Sequence, residues 1–214
     1  MKLQGDARRT AAYEACLVLN QAINELITPL KVMELSESVL FEAAGRLSGG
    51  ISKSRKRPEL LFAMQEHRGT IKLAFTACVL SVYRLRETRD HLLREWLFTD
   101  KELRDLGLPP LQEFLGGEKQ WANFEIIRHN MAGHSMVRKA TKSGPGRIIP
   151  ARVLGTAVRQ AGLSDWKAFV TRVRRELTPA VQNIRDELAK EYPEVKHYLH
   201  YYQTEHDVFK YRDQ

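Results

Sequence analysis

The sequence has few residues that could cross-link or interrupt a fold: it contains 2 cysteines, 13 glycines and 8 prolines among 214 residues. Cys16 and Cys78 each lie in an apolar stretch, and two thiols cannot form the disulfide framework of a small secreted domain. The N-terminal residues lack the apolar core of a signal peptide, and no apolar run is long enough to cross a bilayer. We therefore expect a cytoplasmic protein that works in a reducing compartment and has no membrane segment.

Acidic residues are absent between Ile126 and Ser164, although the whole chain carries 34 Lys and Arg against 26 Asp and Glu, a formal net charge of +8. The basic residues of this stretch are Arg128, Arg138, Lys139, Lys142, Arg147, Arg152 and Arg159. Because no carboxylate within the stretch can neutralise them, we predict that it binds a polyanion, either nucleic acid or an anionic membrane surface. The residues expected to bind the RNA backbone are Arg138, Lys139, Lys142 and Arg147.

Strand-like alternation of apolar and polar residues is also absent, whereas helical spacing recurs along the chain. A first helix is predicted over residues 10–47, with Pro29 kinking it or splitting it in two. The basic run over 48–59 is interpreted as an exposed loop, and a second helix follows over 58–98. Two long helices joined by a loop predict a long antiparallel hairpin over 10–98.

Shorter helices follow the hairpin, each bounded by a capping residue or by glycine and proline. Their predicted bounds are Thr99-Asp100 to Leu106, Leu111 to Leu115, a start near Glu118, and Ser164 to a boundary near Pro179. We predict one all-α domain over 1–214, a helical bundle built on the long hairpin. Its motif-bearing segment spans 118–142, and its C-terminal helices span 164–214.

Segment 121–134 brings together the residue types that RNA cleavage needs. His134 can take a proton from a 2′-hydroxyl or give one to a leaving oxygen, because the pKa of histidine lies near working pH. Arg128 can offer two N–H donors to a phosphoryl group while charge spreads over it in the transition state. No carboxylate cluster suited to magnesium occurs here, so we expect no metal and no cofactor.

Arg128 and His134 converge poorly on one phosphate if they belong to one regular helix. Their spacing places them about 120° apart around a straight helix and roughly 9 Å apart along its axis. Either Gly133 deforms the helix, or two copies of the chain meet and duplicate the pair across a two-fold axis.

The run Arg128-His129-Asn130-Met131-Ala132-Gly133-His134 resembles the R-x(4–6)-H motif of the HEPN superfamily. The Phe124-Glu-Ile-Ile lead-in and the following Ser135 are most similar to HEPN proteins of the abortive-infection type. The resemblance implies an all-α HEPN-like fold and a metal-independent endoribonuclease of a toxin–antitoxin or phage-defence system. It also implies a homodimer with a composite site, in which Arg128 and His134 are catalytic and His129 and Asn130 support them. An antitoxin protein is the further partner implied.

Two other functions stay open at this point. The same basic stretch would serve a non-catalytic nucleic-acid-binding module. The helices would equally serve an interaction protein, or a partner subunit, whose basic patch meets an acidic protein surface. The tail histidines His197, His200 and His206 lack the second pair of ligands that a closed metal site needs, so we predict no metal there.

A competing motif occurs in the second predicted helix, where Arg84 and Arg86 precede His91 at a similar spacing. Acidic residues such as Asp90 and Glu95 alternate with these basic residues. Local ion pairing along one helix therefore explains this run, and we do not assign the site to it.

Overall fold

A computed structural model describes residues 4–48, 53–95, 97–129, 137–138, 147–148 and 151–194. This part of the chain is almost entirely helical, which confirms the predicted all-α class. Its helices are α1 Gly5–Ser48, α2 Lys53–Arg94, α3 Asp100–Asp105, α4 Leu111–Leu115, α5 Glu118–Arg128, α6 Ala151–Gln160 and α7 Trp166–Glu191. Two short strands, β1 Val137–Arg138 and β2 Arg147–Ile148, pair antiparallel. This ladder was not predicted from the sequence, because two residues are too few to show strand periodicity.

The chain divides into two compact units, and α1, α2 and α7 each contribute a segment to both. Unit 1 comprises Met1–Asn24, Arg84–Pro110 and Glu176–Gln214, and unit 2 comprises Glu25–Tyr83 and Leu111–Arg175. Neither unit is therefore one continuous stretch of sequence. The organisation of 1–214 as a single domain stays a prediction.

Helices α1 and α2 run antiparallel within unit 2. The Ser36 hydroxyl lies 2.9 Å from His67 Nδ1, and the Ser81 hydroxyl donates to the Glu25 carbonyl at 3.2 Å. Going backward along α1, from Ser36 to Glu25, the residue contacted on α2 goes forward, from His67 to Ser81. This register confirms the predicted antiparallel hairpin.

Aromatic rings fill the core of unit 2. The fully buried Phe75 stacks on Trp166 with 4.7 Å between ring centroids, and it meets Phe169 edge-on at 5.9 Å. Phe124 lies 6.3 Å from Phe169, so α2, α5 and α7 meet in the same cluster. Burying an apolar side chain of this size contributes roughly 1.5–3 kcal/mol.

A buried arginine connects several elements of unit 1. Only 4% of Arg89 is exposed, its Nε donates to the Leu108 carbonyl at 3.2 Å, and its guanidinium pairs with Asp100. Asp100 also accepts a hydrogen bond from Arg104 at 2.7 Å. The hydrogen bonds from Arg104 and Arg89 hold the pKa of Asp100 below its usual range. Thr99 caps α3 as predicted, through a complete capping box.

Two prolines lie inside continuous helices. Helix α1 runs through Pro29, so of the two predicted outcomes, a kink or a split, the split was wrong. Helix α7 runs through Pro179, so the predicted boundary there was wrong. A proline in a helix interior costs about 3 kcal/mol relative to alanine. Leu30 and Val181, which follow the two prolines, are buried. Tertiary packing on both helices therefore outweighs the local cost.

Two other predicted boundaries were also displaced. The basic run assigned to a loop over 48–59 lies mostly in helix, because α2 begins at Lys53. Lysine and arginine are good helix formers, so a dense basic run is compatible with either state. The predicted cap Ser164 lies one residue too early, since the Asp165 carboxylate accepts the Ala168 N–H at 2.9 Å. A carboxylate there also interacts favourably with the helix dipole.

Candidate functional site

Arg128 is the last residue of α5, a helix with one buried face. Gly116 and Gly117 lead the chain into α5 with φ values of 103° and 116°, a conformation that favours glycine. Trp121 and Phe124 then point into the core of unit 2, with 3% and 0% of their surface exposed. Helix α5 packs against α4 and α6. Arg128 therefore lies at the end of a well-packed helix.

The Arg128 side chain lies on an aromatic ring of another helix. Its guanidinium carbon is 3.9 Å from the ring centroid of Tyr83, on α2. The Tyr83 ring also stacks on Trp121, with 6.1 Å between centroids and 19° between planes. The Trp121 indole donates to the Glu125 carboxylate at 3.0 Å. Tyr83 of α2 and Trp121 of α5 thus form a stacked pair of rings, and Arg128 lies on the Tyr83 ring.

A stacked guanidinium can still bind an anion. The ring contact uses the flat face of the group, whereas the N–H donors lie in its plane and project from its edge. The in-plane donors of an arginine match two oxygens of one phosphate. Arg128 is half-buried, so the attraction between its guanidinium and an anion bound at its edge would be less screened by water and salt than at a fully exposed arginine.

His129 continues the helical backbone beyond Arg128, with φ −61° and ψ −36°. Its N–H hydrogen bonds to carbonyls of the last turn of α5, and its side chain is exposed. Consecutive helical residues project about 100° apart. Arg128 and His129 therefore leave the helix in different directions.

The remaining predicted site residues are only partly described. Asn130, His134, Lys139 and Lys142 lie outside the described residues. Arg138 and Arg147 have a described backbone, and their Cα atoms are partners in the β1–β2 ladder. The fold therefore brings together two of the positions expected to bind the RNA backbone, although eight residues lie between them in sequence.

Tyr83 was not predicted from the sequence as a site residue. Its contact with Arg128 joins two helices far apart in sequence, and no local spacing reports such a pair. Tyr83 immediately precedes Arg84, the first residue of the competing motif that ends at His91. The one local sign was that Tyr83 borders the apolar stripe of α2. Many residues that only pack in a core share this feature, so it does not single out a site residue.

The competing motif on α2 carries the ion pairs expected of it. Arg86 Nε lies 4.0 Å from the Asp90 carboxylate, and His91 Nδ1 lies 3.8 Å from the Glu95 carboxylate. Both pairs connect residues four apart on one helix. These contacts support the interpretation of this run as a charged helix surface.

Unit 1 contains a cleft of about 500 Å³. Its charged lining residues are Glu102, Asp105, Glu187, Glu191, Arg8 and Lys190. Two of the carboxylates are paired, Glu191 with Arg8 at 2.6 Å and Glu187 with Lys190. Because carboxylates outnumber cations there, the cleft would repel a phosphate chain, and we do not assign the RNA site to it.

Neither a metal site nor a membrane span is found in the part of the chain that the structure describes. No group of three or more His, Cys, Asp or Glu side chains in that part could hold a metal ion. None of its helices is both long enough and apolar enough to cross a bilayer. The tail histidines His197, His200 and His206 lie outside the described residues.

No protein-family model, no curated protein sequence and no solved structure matches this chain. Its function is therefore inferred from its own residues.

Proposed function

We propose that this chain is a metal-independent endoribonuclease of the HEPN type, acting in a toxin–antitoxin or phage-defence system. The observation that supports this most directly is the Arg128 guanidinium held 3.9 Å from the Tyr83 ring at the end of α5. An arginine fixed by its flat face keeps its in-plane donors for an oxyanion. Stabilisation of charge on a phosphoryl group needs a donor held in place in this way.

In the proposed reaction, the RNA supplies its own nucleophile. The 2′-oxygen attacks the adjacent phosphorus, and the bond from phosphorus to the 5′-oxygen breaks. His134 takes the proton of the 2′-hydroxyl or gives a proton to the leaving 5′-oxygen, and Arg128 stabilises the non-bridging oxygens. His129 and Asn130 orient these groups. The products are a 2′,3′-cyclic phosphate and a 5′-hydroxyl.

The basic stretch between Ile126 and Ser164 would hold the RNA backbone. No Asp or Glu in this stretch competes with phosphate. The ladder register makes the Cα atoms of Arg138 and Arg147 partners, so one phosphate chain could run past both positions. Lys139 and Lys142 would extend the same contact.

A homodimer would supply the second half of the site. The spacing of Arg128 and His134 favours two copies of the pair around one cleft, because a two-fold axis duplicates whatever lies beside it. An antitoxin protein that blocks the cleft is the partner expected in the cytoplasm. The proposal requires no membrane contact.

Cleavage assays on purified protein test this function. EDTA should leave cleavage intact, whereas a single 2′-deoxy substitution at the cut site should abolish it. His134→Ala and Arg128→Ala should each lower the rate by about 10²–10⁴-fold while RNA binding persists. Cleavage that requires a metal, or that leaves a 5′-phosphate, would exclude the mechanism.

The competing motif provides matched controls. Arg86→Ala and His91→Ala remove an arginine and a histidine of similar spacing from α2. Both variants should cleave at close to the wild-type rate. A loss of cleavage in this pair, with the Arg128 and His134 variants active, would move the site to α2.

A non-catalytic nucleic-acid-binding module is the second candidate, and the acid-free stretch favours it equally. It predicts salt-dependent RNA binding with no cleavage of any cellular RNA. Binding that is unaffected by His134→Ala, in a protein that never cleaves, would favour this candidate over the ribonuclease.

A further inference from the structure

The outer side of the α1–α2 hairpin in unit 2 exposes large apolar side chains. On α1, the exposed fractions are 36% for Val32, 67% for Leu35 and 54% for Val39. On α2, they are 62% for Phe62 and 71% for Leu73. We call these five residues the outer apolar face. Most of the large apolar side chains that are exposed in the described part of the chain belong to this hairpin, and such a concentration marks an interaction surface.

Contacts between α1 and α2 fix which residues lie at the same height along the hairpin. Ser36 lies level with His67, and Glu25 lies level with Ser81. The pairs that this register makes level, to within about two residues, are Val32 with Leu73, Leu35 with Gly69, and Val39 with Phe62. Each exposed apolar residue of α1 therefore has a neighbour across the hairpin.

The exposed residues of α1 lie beside its line of contact with α2, on the side away from the core. Successive helical residues advance by about 100°, and Ser36 marks the direction of α2. Leu35 lies about 100° to one side of Ser36, whereas the buried Met33 lies about 60° to the other side. The apolar stripe of α1 therefore borders α2 without contributing to the core.

The same arrangement recurs on α2. His67 marks the direction of α1, Leu73 lies about 120° to one side of it, and the buried Phe75 lies about 80° to the other side. Seen from the N-terminus of each helix, both exposed stripes lie on the same rotational side of the contact. In an antiparallel pair of helices, that side is one common face. The two stripes therefore border one groove.

Gly69 lies on this face, level with Leu35. It is inside a helix, where glycine is less favourable than alanine. A Cβ atom at Gly69 would meet nothing within 4 Å, so no described contact within the chain requires glycine here. The missing side chain leaves a notch in which the backbone of another helix can approach closely.

The spacing of the exposed residues suits a third helix. The three residues on α1 follow steps of three and four, the repeat by which helices pack along a shared seam. Phe62, Gly69 and Leu73 on α2 follow steps of seven and four, which continue the same repeat. Amphipathic helices bind apolar grooves through residues at this spacing. The expected occupant is therefore one helix with an apolar stripe.

Two exposed charges on the same face specify the charges of that helix. Lys31 lies at the end of the groove nearer Val32, and Glu66 lies toward the end nearer Val39. A complementary helix would have acidic residues beside Lys31 and basic residues beside Glu66. This order fixes the direction in which the helix lies.

We propose that the outer apolar face binds an amphipathic helix of another protein, with its acidic end at Lys31 and its basic end at Glu66. Gly69 allows the backbone of that helix to approach α2. No residue of the proposed cleavage site belongs to this face. The proposal goes beyond the ribonuclease function, and it stands whether or not the chain cleaves RNA.

A synthetic peptide tests the surface in the full chain. The probe is a fluorescein-labelled amphipathic helix of about three heptads, with leucines at steps of three and four, glutamates beside the stripe at one end and lysines at the other. Fluorescence anisotropy should show saturable binding to the wild type. A peptide with the same residues in scrambled order is the control and should not bind.

Two substitutions separate binding from folding. Leu35→Glu places a charge in the groove and should raise the Kd of the probe by roughly 10- to 100-fold. Gly69→Gln fills the notch and should also weaken binding, whereas it should raise the Tm, because glutamine is the better helix former and has room there. Val18→Glu is the matched control, since Val18 is 43% exposed on α1 but lies outside the outer apolar face. The control should bind like the wild type.

A nitroxide at the glutamate end of the peptide reports the direction of the bound helix. It should broaden the methyl resonances of Val32 more than those of Val39, because Lys31 lies at the Val32 end. The variant Lys31→Glu/Glu66→Lys exchanges the two charges. In that variant the order of broadening should reverse.

Four results would each overturn the proposal. The first three are no saturable binding by the wild type, a Leu35→Glu or Gly69→Gln variant that binds like the wild type, and equal broadening at Val32 and Val39. The fourth is a loss of self-association in Leu35→Glu by sedimentation equilibrium, which would assign the face to a second copy of the chain. RNA cleavage is not a readout in these experiments, so a failure of the proposed ribonuclease function does not affect their interpretation.

Discussion

The guanidinium carbon of Arg128 lies 3.9 Å from the ring centroid of Tyr83. This contact joins the end of α5 to α2, and the Tyr83 ring stacks in turn on Trp121. The direction of the Arg128 side chain is therefore set by tertiary packing and not by α5 alone. A residue that stabilises a transition state benefits from being held in this way before substrate binds.

Removing the ring should release Arg128. We expect Tyr83→Leu to lower kcat by about 2- to 30-fold, the rate equivalent of one cation–π contact, with a smaller change in KM. Tyr83→Phe keeps the ring and should retain most of the activity. Single-turnover cleavage measures both variants.

The Arg128 Nε–H resonance checks the contact without an activity assay. It should show a ring-current shift in the wild type and in Tyr83→Phe, and lose that shift in Tyr83→Leu. Tyr13→Leu, which changes a tyrosine of unit 1, is the control and should leave the resonance in place. An unshifted wild-type resonance would contradict the stacked geometry.

Salt dependence should locate the residues that contact RNA in the proposed complex. Replacing Arg138, Lys139 and Lys142 with alanine should reduce the slope of log K against log salt by about 2, which is three contacts at about 0.7 each for single-stranded RNA. Fluorescence anisotropy at several salt concentrations measures the slope. Arg55→Ala/Lys56→Ala/Arg57→Ala is the matched control in α2. If the control, and not the first variant, flattens the slope, the RNA lies against α2.

The aromatic cluster of unit 2 should carry a large share of its stability. Phe75→Ala removes a fully buried ring that stacks on Trp166, and it should lower the free energy of unfolding by about 3–5 kcal/mol. Urea denaturation followed by circular dichroism measures the change. Lys72→Ala, on an exposed position of the same helix, should stay within about 0.5 kcal/mol of wild type. A small effect of Phe75→Ala would mean that the cluster contributes little.

Stability should fall in mild alkali because two thiols are buried. Burial raises the pKa of Cys78 to about 12 and that of Cys16 to about 11. A cysteine thiol in an unfolded chain has a pKa of about 8.5. The protonated thiols therefore contribute stability that is complete below about pH 8.5. That contribution is lost as the pH rises toward the folded pKa values.

Denaturant titrations of wild type and Cys78→Ala at pH 7 and in mild alkali isolate this effect. The loss of stability on raising the pH should be smaller in Cys78→Ala, because the titrating group is gone. Other groups that titrate in alkali are common to both proteins and cancel in the comparison. Equal losses in the two proteins would contradict a buried, protonated Cys78.

The repeating apolar pattern predicted the long helices well because their buried stripes are visible at fixed spacing. Cys16, Leu19 and Ile23 lie on the buried side of α1 as their periodicity indicated. Local breakers were less reliable. Pro179 lies within α7 because packing outweighs its cost. Helix α6 was not predicted, since Gly155 interrupts a pattern of only ten residues.

The candidate site was predicted only where its residues are neighbours in sequence. The motif around Arg128 was found from the local run of residues. Its contact with Tyr83 was not found, because a contact between distant helices leaves no periodic trace in either one. The β1–β2 register, which pairs Arg138 with Arg147, was not predicted either, because strands of two residues are too short to show alternation.

The segmented make-up of both units bears on how the protein is synthesised. Unit 2 draws on residues as late as Arg175, and unit 1 draws on the chain beyond Glu176. Arg8 meets its partner Glu191 across 183 positions of sequence. During synthesis, neither unit can be complete until α7 has been made, so the apolar stripes of α1 and α2 lack part of their packing until then. The nascent chain should therefore expose apolar surface that is prone to aggregation until α7 emerges.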